Sequence, residues 1–463
     1  MKNKWLLFSS IVLLSGFAAC GNDPSGEEEK GNTGSVSGNL PLTPNNKVIY
    51  EVNVRNYSPK GNFAGLEKDL PRLQELGVDI LWLMPIHPIG EEKRSGTKGS
   101  PYAVKDYLKI NPDFGDESDL KSLVAAAHGA KMEIYLDWVG NHTAWDHAWV
   151  SEHPDYYASQ NGIRPYSPEG WNDVVQLDYS SQNLRTAMID VLKYWVREFD
   201  IDGYRCDYAT GIPLDFWRKA KAEINAIKPI VWLEEGEDAA YMEVFDCDYA
   251  WNFNDRLNEF GKEGDIEKLK SACSALFSDN RYAGKKRMIY LANHDLDAYE
   301  GTVFSRLGNK VLPLTVLYFT IHDMPLIYNG QEIGVNRSLG LFDLNPIPWT
   351  PVNPTMSALF KKLIRLKRSQ PALESGKNRG SLVYYSTDND QVLVFARKKA
   401  GNEVVVILNF ANSPASFRFT GAVPAGDFSN YLEPPAKQIF DSSETVNLPA
   451  NGYAVYINHE EIR

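Results

Sequence analysis

The stretch Gly203-Tyr204-Arg205-Cys206-Asp207 closes a short apolar run that begins at Ile201. Side chains alternate along an extended strand, so Gly203, Arg205 and Asp207 face one way and Tyr204 and Cys206 the other. An arginine and an aspartate on one face predict an ionised carboxylate, because the guanidinium favours its charged form. Seven further candidate strands lie around this one: Val48–Val54, Val78–Met84, Met132–Val139, Ile230–Glu235, Asp246–Phe253, Met288–Asn293 and Leu326–Tyr328. The segments between them carry helix signals, as in Leu66-Glu67-Lys68-Asp69-Leu70 leading to Leu73 and Leu76, with Gly77 as the stop. Eightfold strand–helix alternation over roughly 300 residues predicts an α/β fold, a closed parallel (β/α)8 TIM barrel. A doubly wound open sheet is the architectural alternative.

Barrel enzymes carry their chemistry where the strands end. The third candidate strand ends Asp137-Trp138-Val139-Gly140-Asn141-His142, the fifth Leu233-Glu234-Glu235-Gly236-Glu237, and the seventh Asn293-His294-Asp295. A lone acid in such a place is ordinarily a solvated loop residue. Four acidic strand ends together, joined by His and Arg and without a metal-ligand cluster, point to acid–base chemistry on an uncharged substrate. His142 and His147 are five residues apart, which does not suit one helical face, so no zinc site is assigned.

The ordered set DWVGNH, GYRCD, LEEGE and NHD closely resembles the four short signatures of the α-amylase family of glycoside hydrolases. The similarity extends to Pro101-Tyr102 and to Ile327-Tyr328-Asn329-Gly330-Gln331-Glu332 at the eighth strand. The resemblance implies a retaining enzyme that cleaves α-1,4-glucosidic bonds in starch-like glucans or maltooligosaccharides. It makes Asp207 the nucleophile, Glu235 the general acid/base and Asp295 the transition-state stabiliser. By the same resemblance His142 and His294 bind sugar hydroxyls, Tyr102 stacks on the sugar at the cleaved bond, and Asp137 supports the site; Arg205, by its parity with Asp207, is placed with these substrate-binding residues. The chemistry requires no cofactor. Two readings stand beside this one: a transglycosylase or α-1,6-acting enzyme of the same fold, and a catalytically inactive sugar-binding protein.

Many family members carry Lys-His shortly after the nucleophile, serving the leaving-side sugar and a calcium ion; the matching positions here are Thr210 and Gly211. Asn141 matches a common calcium ligand, with Asp155 and Asp173 nearby in sequence, so a structural calcium is left open and the metal site unknown. Strand parity decides among the fifth-strand acids. Glu235 shares the parity of Leu233 and faces Asp207, whereas Glu234 leans towards the helix layer or loops. Glu237 lies about 6.6 Å further out, where it is expected to contact substrate.

The acidic balance, net charge −12, argues against a nucleic-acid partner, which needs concentrated Lys and Arg, and suits a neutral substrate better. The expected partner is an α-glucan and the expected state a monomer, with no nucleic-acid partner. Lys2 and Lys4 precede an apolar segment from Trp5 to Leu14, and small residues lead to Phe17-Ala18-Ala19-Cys20. This resembles a bacterial lipoprotein signal whose Cys20 becomes the lipidated first residue; an ordinary signal peptide is the alternative. Residues 21–46 read as a Gly-, Ser- and Asn-rich flexible tether with an acidic run at Glu27-Glu28-Glu29. The expected location is therefore the outer membrane or cell surface of a bacterium, with membrane contact only through the lipid anchor. The catalytic barrel is assigned to 47–370, including an inserted subdomain at 141–184. Residues 371–463 turn to period two and read as a C-terminal antiparallel β-sandwich domain. Cys206, Cys247 and Cys273 have no paired spacing and read as buried apolar residues.

Overall fold

A computed structural model describes residues 45–168, 170–433 and 437–458. Cys20 and nearly all of the 21–46 tether lie outside the described residues. Asn46, assigned to the tether, already belongs to the fold: it is buried, and its Nδ2 donates to the Lys367 carbonyl at 2.6 Å.

Eight strands close a parallel barrel: β1 (Ile49–Val52), β2 (Ile80–Leu83), β3 (Glu133–Val139), β4 (Gly203–Asp207), β5 (Val231–Glu234), β6 (Cys247–Tyr249), β7 (Lys286–Ile289) and β8 (Met324–Tyr328). They follow one another in chain order, and β8 returns to pair with β1, Ile49 opposite Leu326. That closure excludes the open-sheet alternative. Most strand ends differ from the sequence reading by one or two residues, and two differ by more. The sixth strand stops at Tyr249 rather than Phe253, because Trp251 to Glu263 forms a helix, and the seventh runs from Lys286 to Ile289 rather than from Met288 to Asn293.

Parity sorts the strand residues into two cores. Ile49, Ile80, Tyr135, Leu233, Met288 and Leu326 fill the barrel, whereas Tyr50, Leu81, Ile134, Tyr204, Trp232 and Ile327 face the surrounding helices. Apolar layers thus occupy the lower barrel, and the same inward parity delivers Glu51, Asp137 and Arg205 to its upper end, all fully or almost fully buried. The helix Leu70–Leu76 stops where expected, with Gly77 at φ 98 in the left-handed region.

The third connection holds a two-stranded ribbon, His142–Ala144 against Val174–Gln176, with a short helix Ala148–Glu152 between them. It ends before Leu184, since the helix Gln182–Phe199 is capped by Ser181, whose Oγ accepts from Leu184 N at 3.4 Å. Beyond the barrel, Ser381–Tyr385, Val392–Lys399, Asn402–Asn409, Tyr453–Asn458, Asp427–Asn430 and Lys437–Ile439 form one antiparallel sheet in that order. Ala400 and Gly401, φ 47 and 81, make its tight turn. One face of this sheet, through Phe395, Val404 and Val406, joins the core around the barrel helices. The other covers Phe417 and Leu448 of a second, two-stranded sheet, so the layers are those of a sandwich. The helix Val311–Ile321 is buried on every side, which accounts for its apolar sequence Val-Leu-Pro-Leu-Thr-Val-Leu-Tyr-Phe-Thr-Ile. Cys206, Cys247 and Cys273 are buried free thiols. Among the described residues no helix is long and apolar enough to cross a membrane.

Candidate active site

Arg205 organises the upper end of the barrel. Its Nη1 donates to Asp137 Oδ1 at 2.9 Å and to Asp207 Oδ1 at 2.8 Å, and its Nε donates to the Tyr249 hydroxyl at 3.2 Å. Nη2 lies 2.9 Å from Glu235 Oε2, an ion pair without hydrogen-bond alignment. Glu235 Oε2 also accepts from the Tyr208 backbone N–H at 2.7 Å. Tyr208 reaches that position with φ 41, in the left-handed region, directly after the end of β4. One buried guanidinium therefore faces three carboxyl groups, which leaves the cluster short of positive charge.

The protonation consequences follow. Burial raises the Asp207 carboxyl to about 6 even though Arg205 pulls it down, and burial likewise raises Asp137 to about 6. The expected ionising effect of Arg205 is thus present but outweighed by desolvation. Glu235 rises further, to about 7, through burial first and then through the charges of Asp207 and Asp295. Burial thus raises both carboxyls, and of the two only Asp207 accepts an aligned hydrogen bond from Arg205.

His294 joins the cluster to the first strand. Its Nδ1 bonds the buried Glu51 carboxylate, and its Nε2 lies 2.8 Å from the Tyr102 hydroxyl and 3.3 Å from Asp295 Oδ2. Burial works against an imidazolium, yet Asp295 and Glu51 hold one and raise His294 to about 9. Both ring nitrogens then donate, and the Tyr102 hydroxyl passes its own proton bond to Asp137 Oδ2 at 3.0 Å. Tyr102 stacks on the His294 ring at 5.2 Å and 20°. Asp295 opens a π-helical turn, Leu296–Glu300, and its side chain is one-third exposed. His142 is the opposite case: burial lowers it to about 4, so its imidazole is neutral.

All eight residues named from the sequence (Tyr102, Asp137, His142, Arg205, Asp207, Glu235, His294 and Asp295) therefore lie at one end of the barrel, most of them linked by direct polar contacts. Strand parity is also as expected, with Arg205 registered against Leu233 and Cys206 against Glu234. Burial and the Asp248 carboxylate push outward-facing Glu234 to about 8. Glu237 departs from expectation. It pairs with Arg287 and accepts from Asn252 N at 2.8 Å, behind the barrel wall, because the chain leaves strand geometry after Glu234 and parity no longer applies. Sequence reasoning missed Glu51, Trp82 and Tyr249. Glu51 was detectable as a single charge of inward parity within the apolar run Ile49-Tyr50-Glu51-Val52. Trp82, whose Nε1 donates to Asp137 Oδ2 at 3.1 Å, carries no comparable signal.

Asn141 Oδ1 accepts from Gln176 Nε2 at 2.9 Å, and no group of three His, Cys, Asp or Glu able to hold a metal occurs among the described residues.

A closed (β/α)8 barrel with a buried arginine among three carboxyl groups, and a fourth beside a histidine, describes a barrel equipped for acid–base chemistry. The family model "Alpha amylase, catalytic domain" matches residues 30–174 and 166–340. The chain belongs to the α-amylase family. An α-amylase from Lactobacillus plantarum superposes with a TM-score of 0.79 at 30% identity, covering 90% of this chain and 99% of that one. A noncanonic maltogenic α-amylase from Thermotoga neapolitana gives 0.76 at 29% identity, covering 90% and 97%. In sequence, α-amylase 2 from Dictyoglomus thermophilum is 24% identical over 397 residues, which is 78% of this chain. The chain spans 66% of the length of that relative and 58% of the length of α-amylase MalA from Haloarcula japonica.

Proposed function

We propose that this chain is a retaining glycoside hydrolase that cleaves α-1,4-glucosidic bonds in starch-like glucans or maltooligosaccharides. The observation that carries the reading is the pair of acids joined through Arg205, which donates an aligned hydrogen bond to Asp207 and makes only an unaligned ion pair with Glu235. In the first step Asp207 Oδ attacks the anomeric carbon, the bond to the leaving oxygen breaks, and Glu235 gives that oxygen its proton. The glycosyl group is then held as an ester of Asp207. In the second step Glu235, now ionised, takes a proton from water, whose oxygen attacks the same carbon and releases Asp207. Positive charge develops on the sugar in both steps, and Asp295, positioned by His294, stabilises it. His142, neutral, and Tyr102 orient the ring undergoing attack.

Release of reducing ends from soluble starch, pullulan and maltose tests this reading. Activity on starch supports it, activity on pullulan alone favours an α-1,6 specificity, and none on any of them favours a sugar-binding protein.

The N-terminal Phe17-Ala18-Ala19-Cys20 and the acidic segment behind it support export and anchoring through Cys20, at the outer membrane or cell surface. The chain works there as a monomer, its 47–370 barrel and 371–463 β domain tethered by residues 21–46. Cys20→Ala releases the protein from the membrane fraction or leaves its signal uncleaved. A variant that still fractionates as the parent does would place the anchor elsewhere.

A further inference from the structure

Asp295 carries its carboxylate at the start of a π-helical turn rather than within a strand, and that side chain is partly exposed. Its place therefore depends on what holds the turn. On one flank, β1 supplies Glu51, whose carboxylate bonds His294. Within the turn, Asn293 Oδ1 accepts from Leu296 N at 2.8 Å, and Asp297 N donates to the Asn293 carbonyl at 3.1 Å. The other flank ends on the side chain of Asp297, a buried aspartate to which the two-step reaction gives no part.

Asp297 reaches a segment far along the chain. Its Oδ2 accepts from Leu339 N at 2.6 Å and lies 3.2 Å from Ser338 Oγ, which donates to the Asp297 carbonyl at 2.7 Å. Residues 338–347 form no helix or strand, yet the turn that follows β1 fixes them. Asn56, fully buried there, donates from Nδ2 to the Leu339 carbonyl at 3.2 Å and accepts from Asn345 N through Oδ1 at 2.8 Å. The Asn56 carbonyl accepts from Ile347 N at 2.7 Å, and Arg55 Nη1 donates to the Leu341 carbonyl at 2.7 Å. Both flanks of Asp295 thus lead back to the end of β1. One runs through Glu51 and His294, the other through Asn56, Leu339 and Asp297.

We infer that Asp297 is a positioning residue for Asp295, holding the turn on which the transition-state stabiliser sits. The inference rests on the hydrolase reading above and adds a residue to its machinery. The physical argument has two parts. A carboxylate stabilises developing positive charge best when it already stands in place, because no reorganisation is then needed at the moment of reaction. A long irregular segment is mobile unless it is tied, and a carboxylate accepting from a backbone N–H is a charge-assisted tie, stronger than a neutral one. Asp297 bonds backbone and a serine rather than sugar, so its loss should appear in kcat more than in KM.

The test is a double-mutant cycle on α-maltosyl fluoride, whose good leaving group keeps weakened variants measurable. Asp297→Ala should lower kcat about a hundredfold, the effect of a misplacement of about 1 Å, with KM changed less than about threefold. Asp297→Asn, whose amide oxygen can still accept from Leu339 N, should lose only about tenfold. Ser338→Ala, a small change that should leave the fold intact, should lose about threefold. In an Asp295→Asn background, Asp297→Ala should lower kcat by no more than about twofold, since a residue that acts through Asp295 has nothing left to position. The full loss repeated in that background would give Asp297 an independent structural role and overturn the inference. So would parental kcat in Asp297→Ala. If Asp297→Ala does not fold, Asp297→Asn and Ser338→Ala make the same cycle, and losses that simply add to that of Asp295→Asn overturn the inference equally. An Asp295→Asn variant with parental kcat removes the stabiliser role, and this inference with it. A parent enzyme that turns over neither the fluoride nor starch sinks the hydrolase reading itself.

Discussion

Arg205 Nη1 donates to Asp207 Oδ1 over 2.8 Å, from a side chain on the same strand and fully buried in the barrel. The contact links two residues of β4, so the orientation of Asp207 is held before any substrate arrives. The same nitrogen holds Asp137, which makes Arg205 a fork rather than a point charge. Arg205→Lys keeps the charge and loses the fork, and it should lower kcat on starch by about a thousandfold. Arg205→Met should also destabilise the fold, by about 3–5 kcal/mol, because Asp137 is left buried without its partner. Urea unfolding of both variants beside the parent separates the two effects.

The pH profile of kcat/KM should be a narrow bell. Asp207 must be ionised, which sets an acid limb at about 6, and Glu235 must be protonated, which sets an alkaline limb at about 7. Because these groups and Asp137 share one guanidinium, the two limbs belong to the cluster as a whole. Glu235→Gln assayed on an activated fluoride should lose the alkaline limb and keep the acid one.

Stability carries its own pH dependence. His294 is raised in the folded state from 6.5 to about 9, so its contribution is fully present below 6.5 and is lost as pH rises through about 9. Thermal melts should therefore show Tm declining over that interval. His294→Asn should flatten the decline, and a variant that declines as steeply as the parent would contradict the imidazolium assignment.

Glu237 now has a structural role. Glu237→Gln weakens a largely buried ion pair with Arg287, leaving the arginine with Asp248, and should cost about 1–3 kcal/mol in urea unfolding with little change in KM. Substrate contact would show the reverse, a raised KM at unchanged stability.

Chelator should leave Tm within about 1 °C of its untreated value, because a ligand stabilises only the state that binds it. Asn141 is already paired with Gln176, the reason to expect no loss. A large drop reversed by added calcium would identify a site that this pairing does not reveal.

The barrel was legible because its signals are local. Period-two runs, helix stops such as Gly77 and the parity of Arg205 with Asp207 each need only a few residues of sequence. The polar end of the barrel was legible for the same reason, since strand termini carry it. What stayed hidden depends on distant pairing. Glu51 and His294 meet across the barrel, Trp82 reaches Asp137 from a neighbouring strand, and nothing near either residue announces the partner. Glu237 failed for the complementary reason: a local rule was extended past the end of the strand that justified it. Asp297 and Leu339 come from two loops that only the folded barrel brings together.

The central claim is that Asp207 is the nucleophile of a retaining mechanism, and trapping the glycosyl-enzyme tests it most directly. The enzyme is incubated with a 2-deoxy-2-fluoro-maltosyl fluoride, whose fluorine slows breakdown of the intermediate, and is then digested and analysed by mass spectrometry. The account predicts a stoichiometric maltosyl adduct on the peptide containing Asp207, absent from Asp207→Asn and still formed in Glu235→Gln. An adduct on another residue, or no adduct together with products of inverted anomeric configuration, would contradict it.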